Sequence, residues 1–599
     1  MRINLRWEWK RFEIGRVLQH VSLDEASKRM ASSLFVMLIV VHVILLAWSA
    51  SLHSPVSVEV ASVASGIEHI RTGSFNRFRV NPPLVRSIAA AVVLLWSPDF
   101  PANIEEDTYL HRTEFRLGAE FFAVNGDQSP FYFMIARWAC IPFSIVGALT
   151  CYCWARDIYG TASGLFAMSL WCFSPMILGH GALVAYDVPA ASIGVFACYR
   201  FDLWLLSGRG SDALAAGIGL GLALLTKLTW IILPPVWMLI IVMQLGFRLF
   251  STNGLRSIIA WIGITCCGVS VLNFGYLCEG VGRPLGSLEF VSSLLGGELK
   301  DDFRGIPVGN RFRGTVFENF PSPLPENYLL GIDRQSREFQ VERPSYIAGE
   351  WRERGSYFYY AYAFLVKTPV GTLLLVGLSL YYACVNYSGF WIRRLSPVLV
   401  PAICVFALVS SQKTLGGHSR YMIPCFPFIF IALSGLVYSV GRHGRILQAF
   451  SLAACIASII SSMLTFPHSL SYCNFAMGGP SNVRNHLLST DADWGQDLYY
   501  LKEYWQTLGR GTKLSVACTT ELDVESWFGD GGCPVVDLLK SDKKYMEFSA
   551  ICREGDRIES GVYAVSVNQL YGKSDAFRCL KDRSVDIRIG NSVNVYIVP

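Results

Sequence analysis

Residues 32–52, SSLFVMLIVVHVILLAWSASL, contain no Asp, Glu, Lys or Arg. About 20 apolar residues cross the hydrocarbon core of a bilayer, so this stretch predicts a membrane-spanning helix. Similar stretches lie at 131–153, 161–179, 187–206, 211–226, 228–247, 257–277, 360–385, 395–411, 421–440 and 446–466. They predict a polytopic α-helical membrane protein with about eleven transmembrane helices. The stretch 84–97 is apolar but short, and predicts a helix that lies on the membrane or re-enters it.

Composition agrees. The chain has 599 residues, 52% of them hydrophobic and only 16% charged, against about 25% charged in soluble domains. The formal net charge is +5. No block of basic residues suggests nucleic acid.

Charge placement sets the expected orientation. Arg2, Arg6, Lys10, Arg11, Arg16, Lys28 and Arg29 precede the first span, with no short apolar core and cleavage site of a signal peptide. The N-terminus is expected in the cytoplasm and the C-terminus outside. Alternation then puts Arg156, Arg200, Arg209, Arg248, Arg256, Arg393, Arg394, Arg442 and Arg445 inside. The expected location is an integral membrane protein of a bacterial inner (cell) membrane.

Three regions follow. Residues 1–31 form a cytoplasmic segment. Residues 32–466 form the transmembrane part, with long outer loops at 53–130 and 278–358. Loops of this length are usually functional. The first carries an acidic run at 105–107. Residues 467–599 read as a small outer α/β domain, with a helix signal at 497–508 and strand signals at 514–518, 562–567 and 593–598. Cys518, Cys533, Cys552 and Cys579 fall in that domain. They could form two disulfides in an oxidising compartment or remain free thiols.

The polar residues that stand out collect on the outer side. Asp187, in GHGALVAYDVPAA, sits at a membrane boundary, where a carboxylate is costly unless solvated, paired or on a metal. It either starts a helix or belongs to a site. Glu59 follows the first span in SVEVASVASG, as a site acid or a helix-start acid favoured by the dipole. Lys227 lies between two apolar runs, either snorkelling or holding a phosphate. Arg420 and Tyr421, with His418 beside them, repeat the pattern, and an Arg suits a phosphate. His69, His180 and His418 with nearby carboxylates are candidates for a divalent cation such as Mg or Mn, although no metal-ligand spacing supports one. Together these residues predict an outer-face cavity for a lipid-linked anionic substrate, with acid/base chemistry at a carboxylate. Trp351, Tyr357, Tyr359 and Tyr360 would line its mouth or form an interfacial aromatic belt.

Six stretches carry a family resemblance: ASGIEHIRTGSF…NPPLVRSIAA (64–90), GHGALVAYDVPAA (179–191), GLALLTKLTWIILPP (221–235), PSYIAGEWRERGSYFYYAYAFLVKTPVG (344–371), GGHSRYMIPCFPFI (416–429) and STDADWGQDLYYLKEYW (489–505). In these the chain resembles the polytopic C-type glycosyltransferases, in the branch of the protein O-mannosyltransferases and the lipid A aminoarabinose transferase. The resemblance implies the C-type fold. It also implies transfer of a sugar from a polyprenyl-phosphate carrier to a lipid, glycan or protein acceptor on the outer face. By resemblance, Glu59 and Asp187 are the catalytic candidates. Lys227, His418, Arg420, Tyr421, Arg86 and Asn81 are the substrate-binding candidates, and no metal ligand is assigned.

The chain departs from the family at three positions. The usual Asp-Glu pair after the first span is Val58-Glu59. The His before Pro-Pro is Asn81, and an Asn of the last motif is Asp491. A glycosyltransferase is therefore weighed against a non-catalytic relative that binds a lipid-linked glycan or scaffolds glycan assembly. A transporter is a third class, but the inverted repeats and mid-membrane charges of that class are missing from the sequence.

Overall fold

The computed structural model describes residues 25–102, 112–301, 306–385, 389–412, 417–438, 442–508, 512–528, 535–537 and 558–599. Arg2, Arg6, Lys10, Arg11, Arg16, the acidic run at 105–107, Lys413, Cys533 and Cys552 lie outside them.

Each of the eleven apolar stretches is helical. Among the described residues, seven helical spans are long and apolar enough to cross a membrane. Two bent pairs raise this to nine. Thr161–Cys172 and Pro175–Gly181 meet at 58°, and Tyr359–Lys367 and Val370–Val385 at 119°. Pro175 and Pro369 explain both breaks, because the residue before a proline leaves the helical region. The other two stretches are also helices. Asp187–Ser207 carries Asp187, Arg200 and Asp202, and Gly210–Thr226 is short. By length and composition, seven to nine of the about eleven expected spans meet the test among the described residues.

Charges gather at the two ends of the bundle. At the end expected inside, Arg394 pairs with Asp202 at 2.9 Å, Trp154 donates to Asp202 at 2.8 Å, and Arg200 pairs with Asp212 at 2.6 Å. The candidate site lies at the other end of Asp187–Ser207. That helix is held against the segment bearing Lys227 by Trp230, whose Nε1 donates to the Ala190 carbonyl at 2.9 Å. A Cβ at Gly194 would come within 1.9 Å of the Trp230 ring, so only glycine permits this approach.

The first loop contains the buried helix Ser57–Thr72 and, packed on it, the helix Leu84–Leu94. A Cβ at Gly66 would come within 2.3 Å of the Arg86 carbonyl oxygen. The apolar stretch at 84–97 therefore packs on protein. The second loop grips the first: Glu279 accepts from Phe75 N–H at 2.8 Å and Ser74 Oγ at 2.9 Å.

After the last span, five strands form one mixed sheet. They are β1 (Leu514–Ala517), β2 (Val535–Asp537), β3 (Gly561–Ser566), β4 (Ile587–Ile589) and β5 (Val593–Val598), in the order β2-β1-β3-β5-β4. β1 runs parallel to β2 and β3, and β5 antiparallel to β3 and β4. The helix Leu498–Gln506 packs with them, and Leu498, Leu501, Trp505, Leu514 and Val516 join the apolar core of the membrane helices. Ser54, just past the first span, is tied to this region. Its N–H donates to the Gln496 carbonyl at 3.0 Å and its hydroxyl to the Gly495 carbonyl at 2.6 Å. Cys579 is disulfide-bonded.

Candidate active site

Asp187 opens its helix in a buried position between two cations. Lys227 Nζ pairs with its Oδ1, and Arg420 Nε lies 3.5 Å from Oδ2. All three side chains are at most 13% exposed. Aromatic faces cover the cations. Lys227 Nζ lies 4.4 Å from the Tyr421 ring centroid, and the Arg420 guanidinium lies 4.0 Å from that of Trp494. Such stacking keeps a partly desolvated cation favourable. His418 packs on Tyr421 and bonds Thr490 Oγ1 at 3.1 Å. His180 packs on Trp494.

One carboxylate between two cations leaves a net positive cluster. Two buried nitrogens there, Arg420 Nη1 and His180 Nδ1, have no hydrogen-bond partner among the described residues. Such groups cost free energy unless a ligand satisfies them. The geometry can hold an anion and, beside it, a carboxylate able to accept a proton.

The C-terminal domain orients Arg420. Asp491 Oδ1 accepts from Ser419 N–H at 2.9 Å and Ser419 Oγ at 2.6 Å, while Oδ2 accepts from Tyr359. Burial raises the pKa of Asp491 from its ordinary value. Lys367 is buried and donates to the carbonyls of Asp491 at 2.6 Å and Leu470 at 2.8 Å.

Glu59 stands elsewhere. Arg137 Nε and Nη2 reach its two oxygens at 2.8 and 2.6 Å, and Val56 and Val184 N–H groups donate at 3.0 and 2.8 Å. The remaining Arg137 bonds go to the carbonyls of Ala50, His53 and Ser54. The structure thus does not bring Glu59 into the cluster of Asp187, Lys227 and Arg420. Val58 packs against the apolar group of Val56, Leu183, Ala185, Leu470 and Trp494, the last of which covers Arg420.

Arg86 and Asn81 are neighbours in the first loop. Arg86 is fully buried and donates to the Asn81 carbonyl and to His69 Nδ1, the latter at 3.0 Å. It braces the Asn81-Pro82-Pro83 turn. His69, His180 and His418 do not share a metal site. Among the described residues, the group able to hold an ion is His53, His468 and Asp497. Tyr359 and Tyr360 are buried behind the cluster, and Trp351 donates to the Tyr571 carbonyl at 3.1 Å; only Tyr357 is exposed.

Arg137, Lys367 and Trp494 were missed from sequence. Arg137 carried a signal, since it lies in a predicted span, where a charge marks a paired or functional group. Lys367 ends a helix directly before Thr-Pro. Trp494 had no mark beyond its quoted motif.

An integral membrane protein with a cluster of cations around a carboxylate at one end of its helix bundle is the class that the fold and site define. A family model, dolichyl-phosphate-mannose-protein mannosyltransferase, matches residues 130–272. The chain is similar in this way to the C-type glycosyltransferases, as its motifs implied. No curated protein matches it. Among solved structures, the chain is similar to apo ArnT from Cupriavidus metallidurans, at 12% identity and a TM-score of 0.41, covering 94% of this chain and 98% of that one. It is also similar to the S. cerevisiae protein O-mannosyltransferase complex bound to the sugar donor, at 11% identity and a TM-score of 0.46, covering 81% and 93%. The apo Archaeoglobus fulgidus oligosaccharyltransferase gives 11% identity and a TM-score of 0.44, covering 91% and 71%.

Proposed function

We propose that the chain is a membrane glycosyltransferase that moves a sugar from a polyprenyl-phosphate carrier to an acceptor hydroxyl on the outer membrane face. The observation that carries this reading is the clamp of Lys227 and Arg420 on Asp187, with Arg420 Nη1 left for a further acceptor. The family match over 130–272 supports the same class.

The carrier phosphate takes over Lys227 and Arg420. Asp187 loses part of its cation pairing and gains basicity, because opposite charges had favoured its ionised form. The acceptor oxygen attacks the anomeric carbon, and its proton passes to Asp187. The bond from that carbon to the phosphate oxygen breaks, and the electron pair leaves with the phosphate. Lys227 and Arg420 stabilise the growing charge, which is the larger catalytic contribution. One displacement inverts the anomeric carbon. The acceptor is a lipid, a glycan or a protein.

Transfer from a synthetic polyprenyl-phosphate sugar by the purified chain in lipid discs tests this. Asp187→Ala is expected to lower kcat by at least about 100-fold. Arg420→Ala is expected to raise KM for the carrier. Full activity in Asp187→Ala removes the proposed base.

A second reading rests on Val58. Position 58, packed beside Trp494, carries no carboxylate, and Glu59 is consumed by Arg137. A carrier-binding protein without turnover fits that pattern. Carrier binding with no transfer by the native chain, and transfer by Val58→Asp, would favour it.

A further inference from the structure

We propose that His53, His468 and Asp497 form a zinc-type metal site that pins the first span, the last span and the C-terminal domain together. His53 follows the helix Glu25–Leu52, His468 follows the helix Arg442–Met463, and Asp497 precedes the helix Leu498–Gln506. The site is separate from the Asp187 cluster and does not depend on its role.

The geometry makes the case. His53 Nδ1 and His468 Nδ1 lie 3.6 and 3.4 Å from Asp497 Oδ1, and the three atoms fall within 4.8 Å of one another. Ligands about 2.1 Å from a tetrahedral ion sit about 3.4 Å apart along the tetrahedron edges. A direct hydrogen bond is shorter and aligned, and none of these atoms makes one among the described residues.

The tautomer points the same way. His53 Nε2 lies 3.1 Å from the Pro467 carbonyl, which can only accept, so Nε2 carries a proton. That leaves Nδ1 as the nitrogen turned to the Asp497 carboxylate, in side chains only 6% and 0% exposed. Asp497 is oriented from behind, since its Oδ2 accepts from Ser592 Oγ at 2.7 Å. The carbonyl on His53 and the hydroxyl on Asp497 are the outer contacts that fix metal ligands. Tyr500 packs on both imidazoles, and His468, at 24% exposed, leaves a way in for the ion and a fourth, solvent ligand. Two imidazoles and a carboxylate suit zinc better than Mg or Mn, which prefer oxygen ligands.

The full-length chain, purified without chelator, is stripped with EDTA and titrated with Zn²⁺. About one ion per chain is expected, with an absorption-edge spectrum showing imidazole nitrogens at about 2.0 Å and no sulfur. Ser592→Ala, which keeps all three ligands, is expected to weaken binding by about 10–100-fold, and His468→Ala by at least as much. EDTA is expected to lower the melting temperature of the native chain and not that of His468→Ala. The proposal fails if the native chain binds no more Zn²⁺ than His468→Ala, or if the spectrum lacks imidazole nitrogen.

Discussion

Neighbouring side chains on one helix can have opposite fates. Glu59 and Val58 differ by one position, or about 100° around the helix. The glutamate meets Arg137, and the valine packs against the apolar group that contains Trp494. Glu59 thus acts on the fold more than on the substrate. Removing one partner of a buried pair leaves the other charge uncompensated, at a cost of about 3–5 kcal/mol. Glu59→Ala is expected to lower the melting temperature sharply, with sugar transfer falling in proportion to the folded fraction. A variant that melts normally yet fails to transfer would restore Glu59 to the chemistry. Asp187, Lys227 and Arg420 were legible in the sequence because each is a charge beside an apolar run. The Glu59–Arg137 pair was not, since its partners lie 78 residues apart and nothing local links them.

The elements show what hydropathy reads well and where it stops. Apolar runs gave every helix of the bundle, because burial in lipid or protein imposes the same composition. They did not give the 119° bend at Pro369, although a proline inside a predicted span is a physical marker for a break. Nor did they give the close approach at Gly194, which depends on where Trp230 comes to rest. Gly194→Ala must push that indole away, and such overpacking costs about 1–3 kcal/mol. Trp230 lies three residues beyond Lys227, so the variant is expected to raise KM for the carrier along with the loss in melting temperature. An unchanged KM would show that the Lys227 segment holds its place without this contact.

At the scale of the whole molecule, the C-terminal domain is bound into the membrane bundle through buried polar groups, and a buried carboxyl within that domain makes its stability depend on pH. Burial pushes the Asp493 carboxyl up to about 6 from an ordinary 3.8. A raised carboxyl binds its proton more tightly in the folded chain. Its contribution to stability is therefore complete below about pH 4 and is lost as pH rises through about 6. Over that window the native chain is expected to lose up to about 3 kcal/mol relative to Asp493→Asn. Melting curves of both proteins between pH 4 and 7 check this. Parallel curves would show that Asp493 is ionised in the fold. The sheet at 514–598 was legible in outline from its β-branched runs, whereas the grip of Asp491, Gly495 and Gln496 on Ser419 and Ser54 depends on long-range contacts that no single run of sequence encodes.

The bonds from Ser54 to Gln496 and Gly495 bear on how the protein is made. A ribosome delivers Ser54 well before residues 489–497. Until then Arg420 lacks the Trp494 face, and Ser419 lacks the Asp491 carboxylate that holds it. A nascent chain therefore carries Arg420 without a finished clamp, and gains one only when residues 491–494 reach it.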